Sequence, residues 1–362
     1  MAEEQARGAY RAGLTPAADG AAQTGGAEFA QAPWWRRGVL NGLIFGALAL
    51  GAALALNYGE LPGLGRILAE LPAAVGLSAA VHIPQILLTA AAWRALLPPA
   101  ERPDLGTMGL LRWYRESANA LLPAGAIIGQ AAAARLLARR GVPGDRAGAT
   151  ATVDLTLEAV SQLFFTLAGV ALLLVGADAA GLLGFAAAGL FIAAGGAGAM
   201  ILVQRRLPLA LLERGLARLA RRWPALRPDW VRDLQQAILR LHADWPRLAA
   251  ATLWHGAAWV IGALEIKGVL WLLGVEVSLA DALVIESLAQ ALRNVGFMLP
   301  GALAVQEGAI IGAAALVGVA AAPALAVALV RRTREVCLSL PGLLAWQRAE
   351  NTSLQIATDN RR

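Results

Sequence analysis

The sequence predicts an all-α, polytopic integral membrane helix bundle, with about six spans, two re-entrant broken helices and an inverted internal repeat. Three observations predict it. Of the 362 residues 58% are hydrophobic and 15% charged, and the mean hydropathy is +0.57, which is too apolar for an ordinary soluble domain. Two apolar stretches, 112–130 and 293–308, are each interrupted by a proline with charged and amide side chains close by. An abruptly Arg-rich segment, 204–247, separates the two halves in which those stretches lie.

Residues 1–37 are rich in Ala, Gly, Gln and Thr with scattered charges, so they are expected to form a disordered tail ending in the anchor Trp34, Trp35, Arg36 and Arg37. The first membrane half, 38–203, opens with an apolar run over 39–56, read as a retained span. A second span follows over about 71–97, with Pro84 as a kink. The segment 105–138 is the first broken helix. It carries Arg112, Arg115, Glu116 and Asn119 before Pro123 and Gly125, with Gln130 beyond them. A basic loop leads to a third span over about 147–175 and then to a fourth that ends near 203.

Within 204–247, Leu209, Leu212, Leu216 and Leu219 recur at helical spacing, as do Leu234, Ile238 and Leu241. That pattern predicts amphipathic helices lying at the cytoplasmic membrane surface. The second half, 248–346, holds a fifth span over about 249–273. The second broken helix, 282–318, contains Arg293, Asn294, Pro300, Gly301, Gln306 and Glu307, and a last span covers about 324–346. Residues 347–362 form a polar tail. Arginine is concentrated in the N-terminal tail, the 135–146 loop, the 204–247 insert and the C-terminal tail. The positive-inside rule puts all four in the cytoplasm, which requires both broken helices to enter and leave by the same face. The basic excess of +6 therefore sets membrane orientation and does not point to nucleic acid.

Sliding the sequence by 177 residues superimposes Leu122 and Pro123 on Leu299 and Pro300, Gly141 and Val142 on Gly318 and Val319, and Thr156 and Glu158 on Thr333 and Glu335. A proline break in each half is the sequence mark of a transporter with a midplane site at the repeat interface. Asp154 and Glu158 are one turn apart in the third span, and Arg331, Arg334 and Glu335 fall at matching places in the last. An ion at the bilayer centre costs at least about 2.5–3.5 kcal/mol, so these groups are expected to face inward and pair, the carboxylates of one half with the arginines of the other. A guanidinium with spare capacity in such a cavity would bind a lipid phosphate. The weaker candidates Glu265, Lys267, Glu286, Gln290 and His255 also interrupt apolar helices.

The three histidines lack metal-ligand spacing, the single Cys337 excludes an intrachain disulfide, and no nucleotide-binding or hydrolase motif is present, so neither metal nor cofactor is expected.

The segments RESANALLPAGAIIGQAAAARLLARRGV, DLTLEAVSQLFFTLAGVALLL and LPGALAVQEGAIIGAAALVG resemble the transmembrane-domain superfamily of lysylphosphatidylglycerol synthases, and within it the hopanoid-biosynthesis-associated membrane proteins. Where the family pattern has LPGGLGVQEG, this chain has Ala302 and Ala304. The resemblance implies a lipid-handling or flippase-like bundle in a bacterial inner membrane, with phospholipid or hopanoid as ligand and hopanoid-pathway membrane proteins as partners. A soluble aminoacyl-transferase domain is not found in the chain, so lysyl transfer is not expected. An intramembrane enzyme acting on a lipid-linked headgroup, or a scaffold for hopanoid enzymes, remains the alternative.

Overall fold

A computed structural model describes residues 64–122, 125–176, 228–296 and 302–359, together with Gly195, Gly198, Ile201 and Leu202. The expected tail, first span, most of the fourth span, the 204–227 part of the insert, and Pro123, Pro300 and Gly301 lie outside the described residues. Among the described residues there are nine helices and no strand: α1 (Leu64–Ala95), α2 (Leu105–Leu121), α3 (Gly125–Ala138), α4 (Gly144–Gly176), α5 (Pro228–Ala243), α6 (Trp245–Leu272), α7 (Leu279–Gly296), α8 (Ala302–Leu316) and α9 (Ala321–Asp359). In α1, α4 and α6, Ala69–Ala95, Gly144–Val175 and Trp245–Leu272 are long and apolar enough to cross a membrane. The chain is thus an all-α membrane helix bundle. Helix α9 covers the expected last span, but Arg331, Arg332, Arg334 and Glu335 fall in its first half, which lowers its hydropathy.

The molecule is apolar on the outside as well as within. Ile127, Phe164, Val175, Leu253 and Trp271 are all exposed, as expected of side chains that meet lipid rather than water. Because lipid is as apolar as leucine, close packing rather than escape from water holds such helices together. Small residues supply it: Ala289 on α7, Ala309, Ala313 and Ala314 on α8, and Ala324 and Ala328 on α9 form one core with Ile266, Leu270 and Val327. A second core gathers Trp93 of α1, Met108 and Leu111 of α2, Leu136 and Leu137 of α3, and Ala147 and Ala151 of α4.

Both broken segments are two helices each. At the first break α3 folds back along α2: a Cβ placed on Gly125 would stand 1.9 Å from the Ala118 carbonyl oxygen, and one on Gly129 would stand 2.7 Å from that of Arg115. The missing side chains let the two backbones touch. The chain leaves α2 through an extended Leu122 (φ −108°, ψ 141°), whose N–H still donates to the Ala118 carbonyl. Helices α7 and α8 also pack against each other.

The repeat extends to the element boundaries. The residues 177 positions after Ala95, Gly125 and Gly144 are Leu272, Ala302 and Ala321, at which α6 ends and α8 and α9 begin. The two loops before α4 and α9 turn on Gly141 (φ 95°) and Gly318 (φ 81°), which are also 177 apart and hold a left-handed conformation that glycine adopts freely.

Helix α5 buries Ala237, Ile238 and Leu241 against Ala149 and Val153 of α4 and Leu248 of α6. Its apolar stripe therefore rests on the bundle.

Candidate functional site

Helices α1, α2, α4, α6, α7, α8 and α9 surround a cavity of about 380 Å³, lined by six arginines and six glutamates along with His82, Gln85, Asn119 and Gln290. Two clusters of buried ions form its walls.

In the first, Arg112 and Arg115 stand one turn apart on α2 and face Asp154 and Glu158, one turn apart on α4. The spacing matches, so each guanidinium bridges both acids. Arg112 donates through Nη1 to Asp154 Oδ2 (3.2 Å) and through Nη2 to Glu158 Oε1 (2.8 Å). Arg115 donates to Asp154 Oδ2 (2.9 Å) and Glu158 Oε2 (2.7 Å). Arg112 Nε also donates to Glu116 Oε1 (2.9 Å), and His82 Nε2 lies 3.3 Å from the other Glu116 oxygen. Asp154 has no solvent exposure and receives a third donor, His255 Nε2 on α6, at 2.9 Å. Asp154 therefore sits behind the wall, with the two arginines between it and the cavity.

In the second cluster, Arg331 on α9 donates to Glu286 Oε2 on α7 (2.6 Å) and to the Gly262 carbonyl on α6 (2.9 Å). Arg334 donates to Glu265 Oε2 (3.1 Å), whose other oxygen accepts from Ser78 Oγ on α1 (2.6 Å). Gln290 Nε2 donates to Glu286 Oε1 (2.9 Å). Nearer the opening, Arg332 bridges Glu335 (2.9 Å) and Glu307 (3.4 Å), and Arg293 lies 3.7 Å from Glu335.

These contacts correct the expected pairing. Around the cavity the acids of one half do not meet the arginines of the other; each half neutralises its own there. The long Arg112 and Arg115 side chains of α2 reach Asp154 and Glu158 on α4, and Arg331 reaches Glu286 on its own half's broken helix. What reaches these buried acids from the opposite half is polar support, His255 to Asp154 and Ser78 to Glu265. The repeat also inverts charge, since Asp154 and Arg331 are 177 apart, as are Glu116 and Arg293.

Of the residues singled out in the sequence, Arg112, Arg115, Glu116, Asn119, Glu158, Arg293, Glu307, Arg331, Arg334 and Glu335 all line the cavity. Gln130 does not: its amide donates to the Ala151 carbonyl, tying α3 to α4. The side chains of Asn294 and Gln306 lie outside the described residues. The weaker candidates Glu265, Glu286 and Gln290 line the cavity too, whereas Lys267 turns away to the Val277 carbonyl. Sequence reasoning passed over His82, Gln85 and Arg332. The signal for the first two was their i, i+3 spacing in an apolar helix, where polar side chains need a covered face. Among the described residues, no group of His, Cys, Asp and Glu is arranged to hold a metal ion.

The family model for the lysylphosphatidylglycerol synthase TM region matches residues 37–342. The chain belongs to this family. Comparisons with curated proteins and with solved structures gave no match. Membership points to a membrane protein whose function concerns lipid, and the helices of this chain form the bundle in which the ion-lined cavity lies.

Proposed function

We propose that this chain is a lipid translocase or lipid-transport component of a bacterial inner membrane, with cytoplasmic termini and a role in hopanoid synthesis or trafficking. One observation carries the reading: an ion-lined cavity sits between two repeats of a bundle whose outer surface is apolar. A headgroup crossing bare hydrocarbon loses its hydration without replacement. In the cavity, guanidinium and carboxylate groups take over from water, while acyl chains stay outside in lipid. The hopanoid link rests on sequence resemblance alone. The inverted order of the repeats, taken from the arginine distribution, supports a site reached from either face in turn.

The test is reconstitution of purified protein in liposomes carrying a lipid labelled on its acyl chain, with chemical quenching of the outer leaflet. The protein should accelerate transbilayer movement, and Arg331→Ala, checked for folding by gel filtration, should abolish it. Equal rates with and without protein across phospholipids and hopanoids would sink the reading. A lipid species that disappears from a deletion strain, rather than changing its distribution between leaflets, would favour an enzyme.

A further inference from the structure

We propose that the cavity selects a headgroup bearing both a phosphate and an ammonium, with no net charge, over anionic and uncharged lipids. This rests on the translocase reading. The six arginines and six glutamates of the lining are equal in number, and Asp154 behind it adds a further negative charge against Arg112 and Arg115. A lone anionic headgroup would add an uncompensated charge to a low-dielectric space, and an uncharged one would leave polar groups without a partner. A zwitterion does neither.

The charges that still have capacity are divided between the poles of such a ligand. Arg334 makes one hydrogen bond, through Nη1 to Glu265, and its buried Nε has no acceptor among the described residues. Arg293, whose side chain is 41% exposed, has among the described residues a single ion-pair contact, 3.7 Å to Glu335. Both line the cavity and can donate to phosphate oxygens. Arg112, Arg115 and Arg331 are each held by at least two carboxylates, and Arg331 by the Gly262 carbonyl as well, although the Arg331 Nε also has no hydrogen-bond acceptor among the described residues. On the first-cluster wall, the Glu116 and Glu158 side chains remain 27% and 22% exposed after pairing with arginine. They supply acceptors for an ammonium. The volume, about 380 Å³, lies near the lower end of ligand pockets, about 300–1,000 Å³. It admits a headgroup and leaves the chains in the bilayer.

Binding and movement are measured separately on the full chain. In detergent micelles, isothermal titration with dihexanoyl phosphatidylethanolamine should give a dissociation constant at least tenfold below that for dihexanoyl phosphatidylglycerol or dihexanoylglycerol. In phosphatidylcholine liposomes, acyl-labelled phosphatidylethanolamine should cross at least tenfold faster than the other two. Glu116→Gln, which removes one negative charge from the lining, should move both ratios toward phosphatidylglycerol. A variant that merely loosened the bundle would lower all three lipids alike. Phosphatidylglycerol binding or crossing as well as phosphatidylethanolamine overturns the selectivity and leaves the translocase standing. Selective binding without accelerated movement of any lipid overturns the translocase and leaves the headgroup assignment standing.

Discussion

Ser78 and His255 stand 177 residues apart, at the same position of the two repeats, and each donates to a buried carboxylate of the opposite half: Ser78 to Glu265 at 2.6 Å and His255 to Asp154 at 2.9 Å. The two bonds share no partner, so they stitch the halves together at independent points. Ser78→Ala should cost about 1.5–3 kcal/mol, as for a hydrogen bond to a charged group. Combined with His255→Ala, the losses should add to within about 0.5 kcal/mol. Unfolding in mixed micelles of the single and double variants measures both.

Asp154 is the counter-ion of two arginines at full burial. Asp154→Asn keeps the size but removes the charge, leaving Arg115 with Glu158 alone and Arg112 with Glu158 and Glu116. Breaking a buried ion pair from one side costs about 3–5 kcal/mol, much of it the penalty of the stranded charge. The melting temperature of the variant should fall well below that of Ser78→Ala. Asp154→Asn combined with Arg115→Gln should recover part of the loss, because the second change removes a stranded guanidinium.

The helix breaks, the boundaries of α4 and α6 and the repeat were all legible in the sequence, because proline, glycine and hydrophobic length act locally. The cavity-lining charges were largely legible too, since an ion in an apolar helix must be covered by protein. Partner choice was not. The spacing of Asp154 and Glu158 places both on one face of α4, but only the folded structure shows that the arginines of α2 reach that face. His82 was invisible for a related reason: on α1 alone it reads as a solitary polar residue, and its role depends on Glu116 of α2. The amphipathic stripe of α5 predicted a helix at the membrane surface, and only packing shows that its Ala237, Ile238 and Leu241 rest on α4 and α6.

If the cavity is open to water, thiols placed in it will react with charged reagents. Cys337 is exposed, so the background must be Cys337→Ser. Asn119 lines the cavity and is exposed, whereas Val284 on α7 is 2% exposed in the core. Asn119→Cys should be modified by a membrane-impermeant methanethiosulfonate within minutes and Val284→Cys should resist. Equal reactivity, read by mass shift, would contradict the cavity described above.

Asp104 caps α2 outside the spans: its carboxylate accepts from the Thr107 amide at 2.9 Å. Hydrogen bonds from Thr107 hold the Asp104 carboxyl below the usual carboxylate range. A depressed folded value means the cap stabilises the folded state above the unfolded value, about 3.9, and that this is lost as pH falls through the folded value. Asp104→Ala should lower the melting temperature at pH 7, and the gap to wild type should close on acidification through that window. A gap that stayed constant would show that the carboxylate charge is not what caps the helix.

Gly262 leaves space for the second ion cluster. Its carbonyl receives Arg331 Nη2 at 2.9 Å, and a Cβ on it would lie 2.7 Å from Glu286 Oε1. Gly262→Ala must therefore push the Glu286 carboxylate away, while Glu286 is also held by Arg331 at 2.6 Å and by Gln290 at 2.9 Å. Overpacking of this kind costs about 1–3 kcal/mol. Gly256, two turns earlier on the same helix, has nothing within 4 Å of such a Cβ. Gly256→Ala should be neutral or stabilise by about 0.5–1 kcal/mol, because glycine is the poorer helix former. The pair separates a general effect of alanine in α6 from displacement of Glu286. Loss of lipid movement in Gly262→Ala, with Gly256→Ala at the wild-type rate, would tie transport to the Glu286 and Arg331 contact.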